Sequence, residues 1–130
     1  MKTDLKYGEI TGKIIKAAYE VHTFLGNGFQ EVIYQRALSL EMERVGLGFA
    51  REVEYDIYYK DNPKPIGNRR ADFLVEGKVL VELKAVTELE DVHIAQLLNY
   101  LKVYRIEVGL LLNFGEKKLE YKRQIYSASV

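Results

Sequence analysis

The stretch Arg69-Arg70-Ala71-Asp72-Phe73-Leu74-Val75-Glu76-Gly77-Lys78-Val79-Leu80-Val81-Glu82-Leu83-Lys84 decides how the chain reads. Two apolar runs flank Glu76-Gly77-Lys78, which has the composition of a tight hairpin turn. The second run, Val79 to Val86, has the pattern of a strand buried on both faces, yet it carries Glu82 and Lys84. An isolated charge in a dry interior is costly, so charges persist there when paired, metal-bound or solvated in a cleft. Successive strand side chains alternate faces, so Glu82 and Lys84 share one face. With a three-residue loop at 76–78, Asp72 falls directly opposite Glu82, with Cβ atoms roughly 4.5–5.5 Å apart. A two-residue loop would slip the register and turn Asp72 away. Carboxylates this close repel unless one is protonated or a cation lies between them. Such oxygen ligands suit Mg²⁺ or Mn²⁺. The plain alternative for Asp72, Glu82 and Lys84 is a structural ion pair on a sheet.

Working outward, 130 residues suffice for a single domain, 1–130, with a core of its own. Hydrophobic residues make up 48% and charged residues 29%, which fits a folded globule. Nineteen Lys and Arg balance nineteen Asp and Glu, so the chain does not coat nucleic acid by bulk charge. A local basic groove stays compatible with that balance. The absence of cysteine rules out disulfides, zinc–thiolate sites and cysteine nucleophiles. No apolar run reaches the ~18 residues of a membrane span, and Met1 to Tyr7 lacks the apolar core of a signal peptide. A soluble, cytoplasmic protein without membrane contact is the expectation.

Ile10, Ile14, Ala18, Val21 and Leu25 recur at helical spacing and predict a first helix over 5–25, ended by Gly26-Asn27-Gly28. A second helix is predicted from Phe29 to Val45, with Ile33, Tyr34, Ala37, Leu38, Met42 and Val45 on its apolar face. Val53, Tyr55, Ile57 and Tyr59 alternate with polar residues in a strand over 49–60, placed at an outer or half-covered position. Residues 61–67, with both prolines, read as a loop. Thr87-Glu88-Leu89-Glu90 fits a capping box, with Thr87 as N-cap of a third helix running to Tyr104. Val92, Ile94, Leu97, Leu98, Leu101 and Tyr104 supply its apolar side. Ile106–Leu112 reads as a strand, Asn113–Glu116 as a turn, and Leu119, Tyr121 and Ile125 alternate in a final edge strand. The order is αα-βββ-α-ββ, an α/β fold with a mixed central sheet flanked by helices.

Three further features could converge on the hairpin. Glu31 stands in the first turn of the second helix, where an acid suits the helix dipole and could equally be a third metal-site carboxylate. Gln96 and Tyr100 share a helical face; they are either a boundary stripe or hydrogen-bonding partners of Lys84 or a phosphate. His93 lies one turn before Gln96, and His22 carries a weaker signal.

Gly28-Phe29-Gln30-Glu31-Val32-Ile33-Tyr34 reads as G-x-x-E-x-x-Y. It resembles the naming motif of the small bacterial GxxExxY proteins, a family placed in the PD-(D/E)XK nuclease superfamily. The resemblance spans essentially the whole chain, through Arg70-Ala71-Asp72, Val81-Glu82-Leu83-Lys84, Gln96-Leu97-Leu98-Asn99-Tyr100 and Gly109 to Gly115. It implies a restriction-endonuclease-like α-β-β-β-α-β core, with one extra helix before it and one strand after. Asp72 then matches the metal-binding aspartate, and Glu82 and Lys84 the (D/E)-x-K pair. Gln96 and Tyr100 match the Q-x-x-x-Y helix of the RecB-like branch, and Glu31 its early-helix acid. Ala71 stands where the superfamily name has Pro.

The implied activity is metal-dependent hydrolysis of nucleic-acid phosphodiester bonds, DNA before RNA. Glu31, Asp72, Glu82 and the Leu83 carbonyl would hold Mg²⁺ or Mn²⁺, and Lys84, Gln96 and Tyr100 would serve catalysis. Arg69, Arg70 and His93 are candidate nucleic-acid contacts, with Lys117, Lys118, Lys122 and Arg123 as further backbone-contact candidates. The competing readings are a catalytically silent module that binds nucleic acid or protein, and a hydrolase of small nucleotides. A homodimer built on exposed tyrosines, and a protein partner for targeting, complete the expected partners.

Overall fold

Val79–Lys84 is the third of five strands and lies at the middle of the sheet, in the computed structural model that describes residues 5–127. The elements are α1 (Gly8–Leu25), α2 (Glu31–Arg44), β1 (Phe49–Tyr58), β2 (Pro65–Val75), β3 (Val79–Lys84), α3 (Asp91–Tyr104), β4 (Val108–Asn113) and β5 (Glu120–Ile125). Strand order follows the chain, β1-β2-β3-β4-β5. Only β3 and β4 are parallel. A parallel pair needs a crossover, and α3 supplies it. The predicted order and the mixed sheet between helices are therefore observed.

Two cores explain why β3 and β4 are apolar on both faces. On one side, Ile14, Ala18, Val21, Tyr34, Leu38 and Met42 of α1 and α2 cover Phe73, Val75, Val81, Leu83, Leu110 and Leu112. On the other, Leu97, Leu101 and Tyr104 of α3 cover Ala71, Leu80 and Leu111. Close approach of α3 depends on Gly109, where an added Cβ would stand 2.9 Å from Leu101 Cδ2 and 3.0 Å from Leu97 Cδ1.

Several boundaries differ from the sequence reading, for identifiable reasons. Residues 65–67, expected in a loop, open β2, which pairs with β1 as far as Tyr58↔Pro65 through a bulge at Ile57/Tyr58. In this outer arm of β1 and β2 the first residues of β2 are exposed, so burial leaves no periodic signal in them. Thr87 does not cap α3. Glu90 is the N-cap, its carboxylate accepting from the His93 N–H while His93 Nδ1 accepts from the Glu90 N–H at 2.9 Å. In β5 the expected inward residues Tyr121 and Ile125 are exposed, because no helix covers that face of the edge strand, while Glu120, Lys122 and Gln124 are half-buried. Tyr55 and Val92 are also more exposed than predicted, and Val45 falls just past α2.

The β3 to β4 end carries a polar clamp. Asn113 is fully buried; its Oδ1 accepts from the Val86 and Gly115 N–H groups at 3.0 and 3.1 Å, and its Nδ2 donates to Val86 O at 3.0 Å. Phe114 N donates to Lys84 O at 2.8 Å. Gly115 leaves no room for a side chain, since a Cβ there would meet Val86 O at 2.3 Å and Val86 N at 2.4 Å. Backbone cannot swing aside as a leucine tip can. Gly115→Ala is accordingly expected to cost about 3 kcal/mol and Gly109→Ala about 1 kcal/mol, compared by urea denaturation.

Candidate active site

The β2–β3 hairpin has the three-residue connection that the site requires, with pairs Val75↔Val79, Leu74↔Leu80 and Phe73↔Val81. Pairing stops there, just before Asp72 and Glu82. On the β1 side it is also interrupted opposite Asp72, between Arg51↔Phe73 and Val53↔Ala71, where Glu52 adopts φ 52°. Ala71 packs on the α3 side, whereas Phe73 and Val75 pack against α1 and α2. Face alternation therefore breaks at Asp72, where β2 parts from β3.

Side chains satisfy the backbone that the parting strands leave open. Asp72 N donates to Glu82 Oε2 at 2.9 Å, and Leu83 N donates to Asp72 Oδ2 at 2.8 Å. Ala71 N donates to the Tyr104 hydroxyl at 2.9 Å. That hydroxyl also reaches Val53 O and Arg69 O, and its one proton serves a single carbonyl at a time. Burial, with the Glu82 charge adding to it and the Ala71 N–H opposing it, pushes the Tyr104 phenol up to about 12.

The two acids are half-buried and strongly perturbed. Burial raises the Asp72 carboxyl, against the opposing pull of the Leu83 N–H, Gln35 and Lys84. Burial, then the Asp72 charge, pushes Glu82 up to about 8, with Glu31 adding to the rise and Lys84 opposing it. Glu82 Oε1 has no protein hydrogen-bond partner among the described residues, so one carboxylate oxygen stays available to a ligand. A close pair of anions with raised affinity for a proton is the donor set that a hard divalent cation fits, since the cation supplies the charge the site lacks. Among the described residues, no three His, Asp or Glu side chains are already drawn together as a metal cage.

Of the residues singled out in the sequence, Asp72, Glu82, Leu83 and Lys84 meet at this point of the sheet. Glu31 is the exposed first residue of α2 and lies within the field of Glu82. Tyr100 is half-buried, and both Glu82 and Asp72 raise its pKa after burial does. Gln96 is exposed and makes no hydrogen bond to Lys84. The Arg69 guanidinium lies 5.6 Å from the Tyr100 ring centroid, and its Nε donates to Asn99 Oδ1 at 3.3 Å. Arg70 pairs with Glu54 at 3.0 Å in an exposed bridge. His93 is engaged in the α3 cap through Nδ1. Lys122 pairs with Glu120 at 3.6 Å, and Arg123 donates to Lys6 O. Lys117 and Lys118 line a concavity of about 680 Å³ at the β4–β5 turn, whose lining includes neither Asp72 nor Glu82.

Sequence reading missed Gln35. It is 5% exposed, its Nε2 donates to Asp72 Oδ1 at 2.8 Å, and its Oε1 accepts from Arg51 Nη2 at 2.8 Å. Because Arg51 can only donate, it fixes the amide with Nε2 toward the carboxylate. Position was its one signal, since Gln35 lies four residues after Glu31 and shares its face of α2, and nothing local marks it for burial. Tyr34, the last residue of the G-x-x-E-x-x-Y stretch, is fully buried. Its hydroxyl donates to Gly26 O at 2.6 Å and accepts from Phe29 N at 3.2 Å, pinning the loop before Glu31. Its ring stacks on Phe114 at 4.6 Å, next to the backbone that holds Lys84.

Folding raises the Glu82 pKa from 4.5 to about 8, so the folded chain binds the extra proton between those values. The associated stability is present below the unfolded pKa and is lost as pH rises through the folded one. Without divalent cations, wild type is expected to lose stability from pH 5.5 to pH 8 relative to Glu82→Gln, with a slope of up to about 1 kcal/mol per pH unit in urea titrations. Parallel curves for the two proteins would contradict it.

The family model described as the PD-(D/E)XK nuclease superfamily matches residues 8–124. A solved structure entitled "Crystal structure of SSO0001" superposes with a TM-score of 0.53 at 16% sequence identity, covering 95% of this chain and 80% of that one. At that identity it supports the fold alone. No curated protein matches the sequence. No helix among the described residues is long and apolar enough to cross a membrane. With the match running from the start of α1 into β5, the chain belongs to the PD-(D/E)XK nuclease superfamily.

Proposed function

We propose that this protein is a metal-dependent nuclease that hydrolyses phosphodiester bonds, DNA before RNA, and that it belongs to the GxxExxY group of the RecB-like branch. The observation that carries the reading is the Asp72–Glu82 pair, two half-buried carboxylates held at the parting of β2 and β3 with Lys84 beside them. A purely structural ion pair would lower its carboxyl pKa values; here both rise. Superfamily membership supports a nuclease-like activity.

Asp72, Glu82 and the Leu83 carbonyl would hold Mg²⁺ or Mn²⁺, with Glu31 reaching in from α2. When bound, such an ion supplies Lewis acidity and lowers the pKa of attached water. The rest falls to the chain. Gln35, fixed by Arg51, keeps Asp72 Oδ1 in place. Lys84 is anchored through its carbonyl by Phe114 N, so its ammonium can align an attacking water or offset charge on the phosphoryl oxygens. Tyr100 and Arg69 would face a substrate from the α3 side, and Gln96 lies one turn before Tyr100 on the same helix face. His93 and Arg70 are reached last, because each already holds a partner.

A silent binding module is the second reading, and one observation favours it. The carboxylates are engaged by backbone N–H groups and by Gln35, which can stabilise the hairpin without turnover. Cleavage of labelled linear and circular DNA, and of RNA, with Mg²⁺ or Mn²⁺ separates the readings. Wild type is expected to cut; Lys84→Ala and Asp72→Asn are expected to lose at least about 100-fold in rate. Inert wild-type protein, or a variant that cuts equally well, leaves the module reading. Gln35→Ala, which removes only the holder of Asp72, is expected to weaken Mn²⁺ affinity about 10-fold by calorimetry.

A further inference from the structure

Beyond the carboxylates, a cleft of about 450 Å³ opens between the outer end of β1 and the C-terminal half of α3. Tyr58, Lys60, Asn99, Lys102 and Arg105 line it, with Asp56 as its one acid. Three cations against one acid is a marked local excess in a chain of zero net charge. None of the three is consumed by an ion pair among the described residues. Lys60 lies by the aromatic face of Tyr59, at 5.3 Å from the ring centroid.

Backbone conformation adds an independent observation. Lys60 has φ 54° and Arg105, the C-cap of α3, has φ 58°. Glycine or asparagine fits such left-handed positions with less strain, and glycine is the usual residue after a helix. Both side chains are exposed, so packing gives no reason for a long cation at either place. Strain retained at an exposed site points to a use for the side chain.

Through Asn99 the cleft's lining leads toward the carboxylates, since the neighbouring Tyr100 lies in the field of Glu82 and Asp72. Arg69 joins them, lying over Tyr100 and donating to Asn99. From Tyr100 to Arg105 the helix advances about 7 Å, or about two nucleotides at the ~3.4 Å rise of a strand. A strand with one phosphodiester at Asp72 and Glu82 would run into the cleft.

We propose that this cleft seats the phosphate backbone of a nucleic-acid strand, with Lys60, Lys102 and Arg105 as its phosphate contacts. The inference rests on the nuclease reading for what lies at the carboxylates. It adds where on the surface a strand is held.

Binding of a labelled oligonucleotide by fluorescence anisotropy, in EDTA and in Mg²⁺, tests it in an Asp72→Asn background that keeps the strand uncut. The comparison is with the same protein carrying Lys60→Asn, Lys102→Gln and Arg105→Asn. Asparagine suits the left-handed positions, so thermal stability is expected to be equal or higher. Affinity is expected to fall at least about tenfold, and the slope of log affinity against log salt to shrink by about 2 between about 50 and 200 mM salt. Unchanged affinity and slope would overturn the cleft and leave the nuclease reading standing. No nucleic-acid binding by the parent protein at low salt would overturn both. A variant that binds equally well but changes oligomeric state on a sizing column would show a protein interface here, and would also overturn the proposal.

Discussion

Asp72 and Glu82 stand where a sheet would ordinarily close its ladder with backbone carbonyls. β2 and β3 part at this point, and each strand's N–H is taken by a carboxylate from the other's neighbourhood: Asp72 N by Glu82, Leu83 N by Asp72. An unpaired buried N–H costs about as much as a lost hydrogen bond, so this exchange lets the hairpin open without orphaned donors. The cost falls on the acids, which are drawn out of water and held close together. Their raised proton affinity is that cost made visible. The same feature that keeps the hairpin intact leaves an electrostatic deficit that a cation or a proton fills.

Every neighbouring element then serves to hold this opening. On the β1–β2 side, Tyr104 from α3 places its hydroxyl between Ala71 N and Val53 O. Gln35 from α2 holds Asp72 on the other, its amide oriented by Arg51 from the distorted part of β1. Phe114 lies between Tyr34 at 4.6 Å and His22 at 6.2 Å, so the β4–β5 turn is gripped by α1 and α2 together. His22 adds a 2.8 Å bond to Glu116 O. Through Phe114 N and the Asn113 clamp, this grip fixes the end of β3 that bears Lys84. The helix that carries Glu31 and the strand that carries Lys84 thus share one aromatic joint.

A balanced total charge conceals how unevenly the surface is charged. Acids dominate at the parting of β2 and β3, and cations gather in the cleft between α3 and the β1–β2 arm. That separation suits a polyanion bound along the cleft with one phosphate brought to the acids, because the acids alone would repel it. The arm itself contributes little to either core, which gives a reason other than packing for its length.

Much of this was legible in the sequence. The apolar stripes of α1 and α2, the doubly buried β3 and β4, and the three-residue turn at 76–78 follow from periodicity and turn chemistry, which are local properties. The same logic exposed Glu82 and Lys84, because charge in a buried strand contradicts its surroundings. Sequence could not show the break in alternation at Asp72, which arises from distortion of two neighbouring strands at once. Nor could it show the bond from Gln35 to Asp72, since which face of α2 meets the sheet is settled by packing against α1. Gln35 looked like one more polar helix residue until tertiary structure buried it. Residues 65–67 at the outer end of β2 escaped for the opposite reason: periodicity reports burial, and an exposed strand end carries no such imprint, while Tyr121 and Ile125 alternate as buried residues would on a face that no helix covers. Residue order thus determined the elements and the incongruous charges, while packing between elements decided which polar groups those charges meet.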